Sequence, residues 1–227
     1  MAGYKTGKKS RNRIILACKE LFYKKGYKKT TYKDICDLAD SNPGLINYYF
    51  KTKRKIAEII YGNIFVDIKA EVERYLNDVY GHYDLQIGTS LEHKIFSELV
   101  DMDENINRFF YEMCTEAIDY DIKIYKFFYK LHVEKYHLPL TEDQIRLIWV
   151  SNVSIGIGIA KKYIEGYLRI TKEDLYEFRT RTMYQSMGIE EKRIDEIIQE
   201  VYKIFETTHI YLEDYFKVRL EPVASES

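Results

Sequence analysis

The chain has 227 residues, of which 46% are hydrophobic and 31% are charged, with only 11 glycines and 3 prolines. This length fits one large domain or a small domain joined to a larger one, and the hydrophobic fraction can supply a sizeable core. The three cysteines form no CxxC pair, which argues against a disulfide framework or a zinc knuckle and favours a reducing cytoplasm. No apolar run reaches the roughly 20 residues that span a bilayer, and the run 14–18 is too short for a signal peptide.

Charge is distributed unevenly along the chain. Residues 1–55 contain 15 Lys and Arg against 4 Asp and Glu, whereas the remaining residues contain 20 against 32. A basic N-terminal region on an acidic body predicts that the N-terminal region binds a polyanion, and a solvated lysine-rich end is the alternative. We expect a domain boundary near Lys55, which divides the chain into residues 1–55 and 56–227.

Apolar residues recur at helical spacing through most of the chain, which predicts an all-α fold. Ser10 is the expected N-cap of a first helix, which Gly26 ends. Thr31 opens a short second helix, because it stands at capping-box spacing from Asp34. The apolar residues of this second helix are expected to be buried; they are Ile35, Leu38 and Ala39.

A third short helix follows a tight turn at residues 40–41. Asn42 is its expected N-cap, and Pro43 suits the first helical position because its backbone lacks an N–H and its φ is already helical. Ile46 and Phe50 are four residues apart and form the buried stripe. A long fourth helix over 53–80 follows. Three short helices with a tight turn before the third predict a helix-turn-helix, whose last helix lies in the DNA major groove.

The outward-facing residues of the third helix have the chemistry of a DNA contact. Gly44 lets the backbone approach a sugar-phosphate strand, where the free N–H groups of the helix start attract phosphate. The Tyr48 hydroxyl can donate a hydrogen bond to a phosphate oxygen, and Asn47 can pair with adenine. Leu45 and Pro43 can touch thymine methyl groups.

Residues 10–60 resemble the DNA-binding region of the tetracycline-repressor (TetR) family of transcriptional regulators. The segments that carry the resemblance are IILACKELFYKKGYKKTTYKDICDLAD and NPGLINYYFKTK. The DNA contacts predicted on this basis come from Thr31, Asn42, Pro43, Gly44, Leu45, Asn47, Tyr48, Tyr49 and Lys53.

The chain departs from the family pattern at three places. Residues 40–42 read Asp-Ser-Asn where the family usually has Gly-Val-Ser. Asn47 stands where tyrosine is commoner, and whether it reads a base or touches only the backbone stays open. Arg54 and Lys55 stand where acidic residues are common, and each opposes the helix dipole by roughly 0.3–1 kcal/mol. We expect a nearby phosphate to offset this cost, with indifferent surface charge as the alternative.

The body beyond Gly81 is expected to be helical over about 90–100, 104–118, 121–136, 141–168, 172–187 and 190–217, with EPVASES as a loose tail. The resemblance implies a two-fold homodimer joined by the last two long helices, here 141–168 and 190–217. The second of these carries an apolar stripe consistent with an interface, formed by Ile194, Ile197, Val201, Ile204, Phe205 and Ile210.

The resemblance also implies an effector pocket inside the body. The chain has 22 Tyr and 11 Phe, with the clusters RFFYEMC and IYKFFYK on the central helices. Bulky core packing is the ordinary explanation, and a pocket for a small apolar or aromatic effector is the alternative. The candidate lining residues are Phe109, Met113, Tyr125, Phe128, Trp149 and Asn152. Small residues near Gly156 indicate close helix packing.

No arrangement of nucleophile, base and orienting group is visible, nor is any metal or cofactor motif, so we do not expect an enzyme. The sequence predicts a cytoplasmic, homodimeric regulator that binds double-stranded operator DNA and responds to a small molecule, and a repressor rather than an activator. An alternative keeps the DNA-binding region but gives the body a protein partner, as in an architectural or cell-cycle factor.

Overall fold

The computed structural model describes residues 2–116 and 123–223, with side chains from residue 7 onward except those of 123–127. Its N-terminal part consists of α1 (Ala2–Lys24), α2 (Tyr32–Ala39), α3 (Pro43–Phe50) and the start of α4 (Lys53–Tyr80). The expected N-cap at Ser10 is wrong, because α1 already includes the basic stretch ahead of it. Gly26 follows α1 with a φ of 93°, and this left-handed backbone ends the helix as expected.

The body contains six further helices in the described residues, which are α5 (Leu85–Met102), α6 (Glu104–Thr115), α7 (Lys123–Tyr136), α8 (Glu142–Ile164), α9 (Lys172–Ser186) and α10 (Glu191–Glu206). Capping boxes fix the starts of α8 and α9, where Thr141 and Thr171 each accept a hydrogen bond from the backbone three residues on. The expected end of one central helix at 118 and the start of the next at 121 lie outside the described residues. The helical fold class is confirmed.

The expected helix over 190–217 is wrong in its last third. After Glu206 the chain forms an antiparallel hairpin of β1 (Thr208–Asp214) and β2 (Lys217–Pro222), in which Ile210 is paired with Leu220. β1 alternates β-branched and aromatic residues, which favour strands. The hairpin packs on α4, where the Glu71 carboxylate accepts the Leu220 N–H at 2.9 Å. Of the expected loose tail, residues 221–222 belong to β2, and residues 224–227 lie outside the described part.

The apolar stripe of α10 is buried within the single chain. Ile194, Ile197 and Val201 have no exposed surface, and α10 packs against α5 and α9. Ile210 is only 7% exposed and lies on β1. Five of the six stripe residues are thus buried in the core of the body, and Phe205 is half-buried, so the expectation that this stripe forms a subunit interface is wrong. The use of these helices in a dimer stays a prediction.

Helix α4 connects the N-terminal helices to the body. It is 28 residues long, or about 42 Å at 1.5 Å per residue, and it runs without a break through the expected boundary at residue 55. Its first turns contact α1 and α3, and the helix also packs against α5, α6 and β2. No helix in the described part of the chain is both long enough and apolar enough to cross a bilayer.

Candidate DNA-binding surface and effector cavity

The turn between α2 and α3 is fixed by local hydrogen bonds. Asp40 ends α2 with a left-handed φ of 45°, and Arg13 on α1 donates to its carboxylate at 3.3 Å. Asn42 begins α3, since its side-chain oxygen accepts the Leu45 N–H at 3.0 Å. Pro43 is the first residue of α3. The helix-turn-helix expected from the sequence is confirmed.

Two residues anchor α3 to its domain. Ile46 has no exposed surface and Phe50 is 2% exposed, as the four-residue spacing predicts. Leu45 and Tyr49 are half-buried and pack against the same core, so they lie at the edge of the outward face. The expectation that Leu38 is buried is wrong: it is 48% exposed, and the buried residues of α2 are Ile35 and Ala39.

The outward face of α3 presents Pro43, Gly44, Asn47 and Tyr48 to solvent. Tyr48 is 71% exposed, and its ring packs edge-on against Tyr49 at 5.0 Å between ring centres. Within the described residues the Asn47 amide and the Tyr48 hydroxyl make no side-chain hydrogen bond. Their donors and acceptors are therefore available to a ligand.

Two of the predicted contact residues are helix caps. The Thr31 hydroxyl accepts the Asp34 N–H at 3.1 Å and donates to the Asp34 carboxylate at 2.7 Å. The carboxylate also binds Lys25 at 2.6 Å, and these hydrogen bonds lower the pKa of Asp34. Asn42 likewise uses its side-chain oxygen within α3. Thr31 and Asn42 are exposed, but their first role in this structure is to fix the helix starts.

The Lys53 ammonium is engaged inside the N-terminal domain. It donates to the carbonyl oxygens of Tyr27 and Thr30, each at 2.7 Å, and lies 4.5 Å from the centre of the Tyr27 ring. Burial lowers the pKa of Lys53. The contact of Lys53 with DNA stays a prediction, and its observed contacts hold the turn between α1 and α2.

Arg54 and Lys55 are paired with a single carboxylate. Arg54 binds one oxygen of Glu58 at 3.0 Å, and Lys55 binds the other at 2.9 Å. Glu58 therefore offsets their unfavourable position at the start of α4 without a phosphate. Other cations near α3, namely Lys28, Lys29 and Lys51, are exposed and form no ion pair within the described residues.

The body contains a partly open cavity of about 270 Å³ between α4, α5, α6, α7, α8 and α9. Its lining residues are Tyr61, Phe65, Val66, Lys69, Glu92, His93, Phe96, Phe110, Phe128, Tyr129, Leu131, Asn152, Val153, Ile155, Gly156, Ile157, Arg179, Thr182 and Met183. One wall is aromatic: the ring centres of Phe65 and Phe96 are 4.6 Å apart, and those of Phe96 and Phe110 are 4.9 Å apart. Such a wall favours an apolar or aromatic ligand.

The predicted pocket residues divide into two groups. Phe128 and Asn152 line the cavity, whereas Phe109, Met113 and Trp149 do not. Phe109 stacks on Phe22 of α1 at 6.0 Å, because one residue along a helix turns the side chain by about 100° from the position of Phe110. Met113 and Trp149 are buried in the core. The Tyr125 side chain lies outside the described part.

No motif or spacing in the sequence indicates the charged groups of the cavity. Lys69 donates to the Tyr83 hydroxyl at 2.8 Å and to the Glu92 carboxylate at 3.2 Å. Burial raises the pKa of Glu92 to about 7, although Lys69 acts in the opposite direction. Burial also lowers the pKa of His93 to about 3, and the positive charge of Arg179 adds to this effect. These residues stand on helices of ordinary polar composition, so no pattern distinguishes them.

The cavity and the DNA-binding helices meet through α6. Phe110 lines the cavity, and its ring is parallel to Tyr61 of α4 at 6.2 Å. Two residues later, the Glu112 carboxylate accepts the backbone N–H of Tyr27 at 2.7 Å and that of Lys28 at 3.3 Å. Arg108 donates to the carbonyl oxygen of Tyr23 at the end of α1. A change at the cavity wall therefore has a short path to the turn that precedes α2.

Comparisons with known proteins agree with this geometry. Residues 14–60 match the model of the TetR family of bacterial regulatory proteins. A search of curated protein sequences found no significant match. RolR without ligand has a similar fold, with a TM-score of 0.58 and 11% identity over 83% of this chain and 96% of that chain. RolR in complex with resorcinol gives a TM-score of 0.61 and 12% identity over 86% and 95%.

A third structure, the TetR regulator TylP from Streptomyces fradiae, gives a TM-score of 0.46 and 13% identity over 88% of this chain and 93% of that chain. At these identities the RolR structures show a shared fold, and the family assignment depends on the N-terminal sequence. Residues 14–60 and the helix-turn-helix that they form are thus those of the TetR family of bacterial regulatory proteins.

Proposed function

We propose that this chain is a cytoplasmic repressor that binds operator DNA as a homodimer and is released by a small-molecule effector. In this proposal residues 1–55 form the DNA-binding domain and residues 56–227 form the effector-binding and dimerisation domain. The observation that carries it is the outward face of α3, where the side chains of Asn47 and Tyr48 are exposed and make no hydrogen bond within the described residues. An exposed polar face on the third helix of a helix-turn-helix suits the major groove.

In the proposed complex, Asn47 contacts a base edge and Tyr48 contacts a phosphate. Gly44 has no side chain, so the first turn of α3 can approach the DNA backbone closely and offer its N–H groups to phosphate. Leu45, Pro43 and Tyr49 complete the contact through apolar surface and a hydroxyl. Thr31, Asn42 and Lys53 act mainly by holding α2, α3 and the turn before α2 in place, as their internal hydrogen bonds support.

The proposed dimer interface uses α8 and α9. The stripe of α10 is buried, but α8 exposes Leu147 by 67% and Val150 by 39%, and α9 exposes Phe178 by 53%. Exposed large apolar side chains on two neighbouring helices suit a two-fold helix bundle with a second copy of the chain. The dimer sets the two α3 helices about 34–36 Å apart, so that they enter successive major grooves.

Effector release follows from the connection through α6. A ligand that prefers one position of Phe110 and Tyr61 also biases α6 and α4, which contact the DNA-binding helices. The ligand lowers operator affinity by the ratio of its affinities for the two conformations. RolR, which shares the fold, has been crystallised with resorcinol, and we extend the idea of a small aromatic effector to this chain.

Selection from a random duplex library by the purified full-length protein tests this function. We expect enrichment of an inverted repeat whose half-sites are centred one helical turn, or a whole number of turns, apart. The variant Asn47→Ala serves as the comparison, and we expect it to enrich a weaker or altered half-site. Failure of the wild-type protein to enrich any repeat would contradict operator binding by a dimer.

A further inference from the structure

Arg179 brings an unpaired cation into an otherwise largely apolar cavity. Its side chain lines the cavity from α9, and within the described residues its guanidinium forms no hydrogen bond and no ion pair. Arginine on the surrounding surface behaves differently, since Arg181, two residues later, binds both Glu191 and Asp195. Arg179 is half-buried, and a charge that is partly removed from water is normally paired because the loss of hydration is costly. The guanidinium is therefore available to an anion that enters the cavity.

The backbone of α8 is shaped to accommodate this guanidinium. A Cβ atom at Gly156 would lie 3.0 Å from a terminal nitrogen of Arg179, closer than ordinary packing allows. A Cβ at Gly158, on the same helix, would meet nothing within 4 Å. Glycine inside a helix costs roughly 0.5–1 kcal/mol relative to alanine. Gly156 therefore leaves space for the Arg179 side chain. This close packing explains why a small residue stands at this position of α8.

The ionisable side chains among the described lining residues carry a net positive charge. Among the described lining residues, the formally charged side chains are Lys69, Glu92 and Arg179. Lys69 and Glu92 are 3.2 Å apart and bind each other. His93 is neutral at pH 7, because burial and the charge of Arg179 lower its pKa to about 3. Arg179 is thus the one charged side chain of the described lining that has no hydrogen-bond or ion-pair partner among the described residues.

We propose that the effector is an aromatic carboxylate, whose ring lies in the aromatic part of the cavity and whose carboxylate pairs with Arg179. The planar guanidinium binds a carboxylate through two parallel hydrogen bonds, which a neutral amide cannot reproduce. Asn152 and Thr182 lie in the same lining and offer further polar contacts. The volume of about 270 Å³ suits a ligand of one or two rings. This inference rests on the proposed function in taking the cavity as the effector site.

The matched probes 2-naphthoate and 2-naphthamide test the charge requirement. Calorimetric titration of the full-length protein at pH 7.5 should show 2-naphthoate binding about 10- to 100-fold more tightly than the amide. Arg179→Met should abolish this preference, and Arg146→Met, which removes an exposed charge from α8, should retain it. Equal binding of the two probes, no binding of either, or an unchanged preference in Arg179→Met would overturn the proposal.

Thermal unfolding without ligand separates a binding role for Arg179 from a structural one. Arg179 is half-buried and has no partner among the described residues, so Arg179→Met should leave the melting temperature nearly unchanged. A fall of several degrees would mean that Arg179 stabilises the fold through contacts within the chain, which contradicts the inference. Gly156→Ala should displace the flexible end of Arg179 and weaken 2-naphthoate binding, whereas Gly62→Ala, which meets nothing within 4 Å, should not. An unchanged affinity in Gly156→Ala also contradicts the inference.

The two proposals fail in different experiments. Loss of operator binding by the ligand-free wild-type protein would remove the proposed function and leave the probe preference standing. Binding of 2-naphthoate through Arg179 without any effect on operator affinity would support the ligand class and contradict effector release. Operator release by 2-naphthamide and 2-naphthoate at the same concentration would support an effector cavity and overturn the role of charge.

Discussion

Glu112 of α6 and Tyr27 of the turn after α1 are joined by a buried hydrogen bond, in which the Tyr27 backbone N–H donates to the Glu112 carboxylate at 2.7 Å. Lys28 donates to the same oxygen at 3.3 Å. The body thus holds the DNA-binding helices through their backbone, two residues along α6 from the cavity wall at Phe110. This contact physically connects the cavity wall to the DNA-binding helices.

Glu112→Gln should weaken this connection without removing the side chain. The amide oxygen can still accept a hydrogen bond, but it loses the charge that strengthens both bonds, so we expect a loss of about 1 kcal/mol in the free energy of unfolding. The effect of a cavity ligand on operator affinity should shrink at the same time. Fluorescence anisotropy on operator DNA, with and without 2-naphthoate, measures this effect of the ligand on affinity. Glu104→Gln, an exposed change on α6, is the control, and equal behaviour of the two variants would refute the coupling role.

Gly26→Ala should destabilise the chain more than Gly81→Ala. Both glycines have a positive φ, 93° and 74°, so alanine is strained at both by roughly 1–2 kcal/mol. Only at Gly26 would the new Cβ also meet Arg108 at 3.0 Å and Glu112 at 3.2 Å. We expect an additional cost of about 1–3 kcal/mol there, from overpacking. Urea unfolding of the two variants measures the difference. Equal losses in the free energy of unfolding would show that Arg108 and Glu112 move aside without strain.

Lys53→Met should lower stability as well as DNA affinity. The substitution removes the donor for the carbonyl oxygens of Tyr27 and Thr30, and we expect a cost of about 1–3 kcal/mol. Lys51→Met is the comparison, because Lys51 is exposed and forms no ion pair among the described residues. Lys51→Met should leave stability unchanged and reduce the slope of log K against log salt concentration by about 1. If Lys53→Met affected only DNA binding, Lys53 would be a direct phosphate contact.

Glu92 should make stability depend on pH in a specific direction. Its folded pKa of about 7 lies above the usual 4.5, so the folded state holds the proton more tightly than the unfolded state between these values. The free energy of unfolding therefore falls as pH rises from about 4.5 to 8, by up to about 3 kcal/mol. Glu92→Gln should remove this part of the fall, because its amide still accepts from Lys69 and Tyr83 but does not ionise.

Urea unfolding at pH 5 and pH 8, at one protein concentration, measures this contribution. Wild type and Glu92→Gln should differ more at pH 8 than at pH 5, with the variant relatively more stable at pH 8. Glu104→Gln supplies a control with an exposed carboxylate on a neighbouring helix. Parallel pH profiles for wild type and Glu92→Gln would show that Glu92 ionises normally in the folded chain.

The N-terminal helices are predictable from the sequence because their signals are local. Asn42 and Pro43 mark the start of α3, and the spacing of Ile46 and Phe50 identifies its buried side. The prediction that Leu38 is buried is wrong because an apolar residue on a short helix need not face the core. In the structure 48% of its surface is exposed. Local signals show where α2 and α3 begin, although not α1, and they do not show which apolar residues find a packing partner.

The body is harder to predict because its contacts are distant in sequence. The apolar stripe of α10 looks the same whether α5 of the same chain or a second subunit covers it, and in this structure α5 does. The hairpin after Glu206 packs on α4, where Glu71 accepts the Leu220 N–H across 149 residues of sequence. The close approach of the Arg179 guanidinium to Gly156 is visible only in the three-dimensional structure.

The salt dependence of DNA binding is the sharpest test of operator binding by the basic N-terminal domain. Full-length protein is titrated onto a duplex enriched from the random library at several salt concentrations, with fluorescence anisotropy as the readout. If a dimer neutralises about eight phosphates, log K should fall linearly with log salt concentration with a slope near −7. Asn47→Ala should lose about 1–3 kcal/mol on this duplex and little on random DNA. An affinity that does not change with salt would contradict the account.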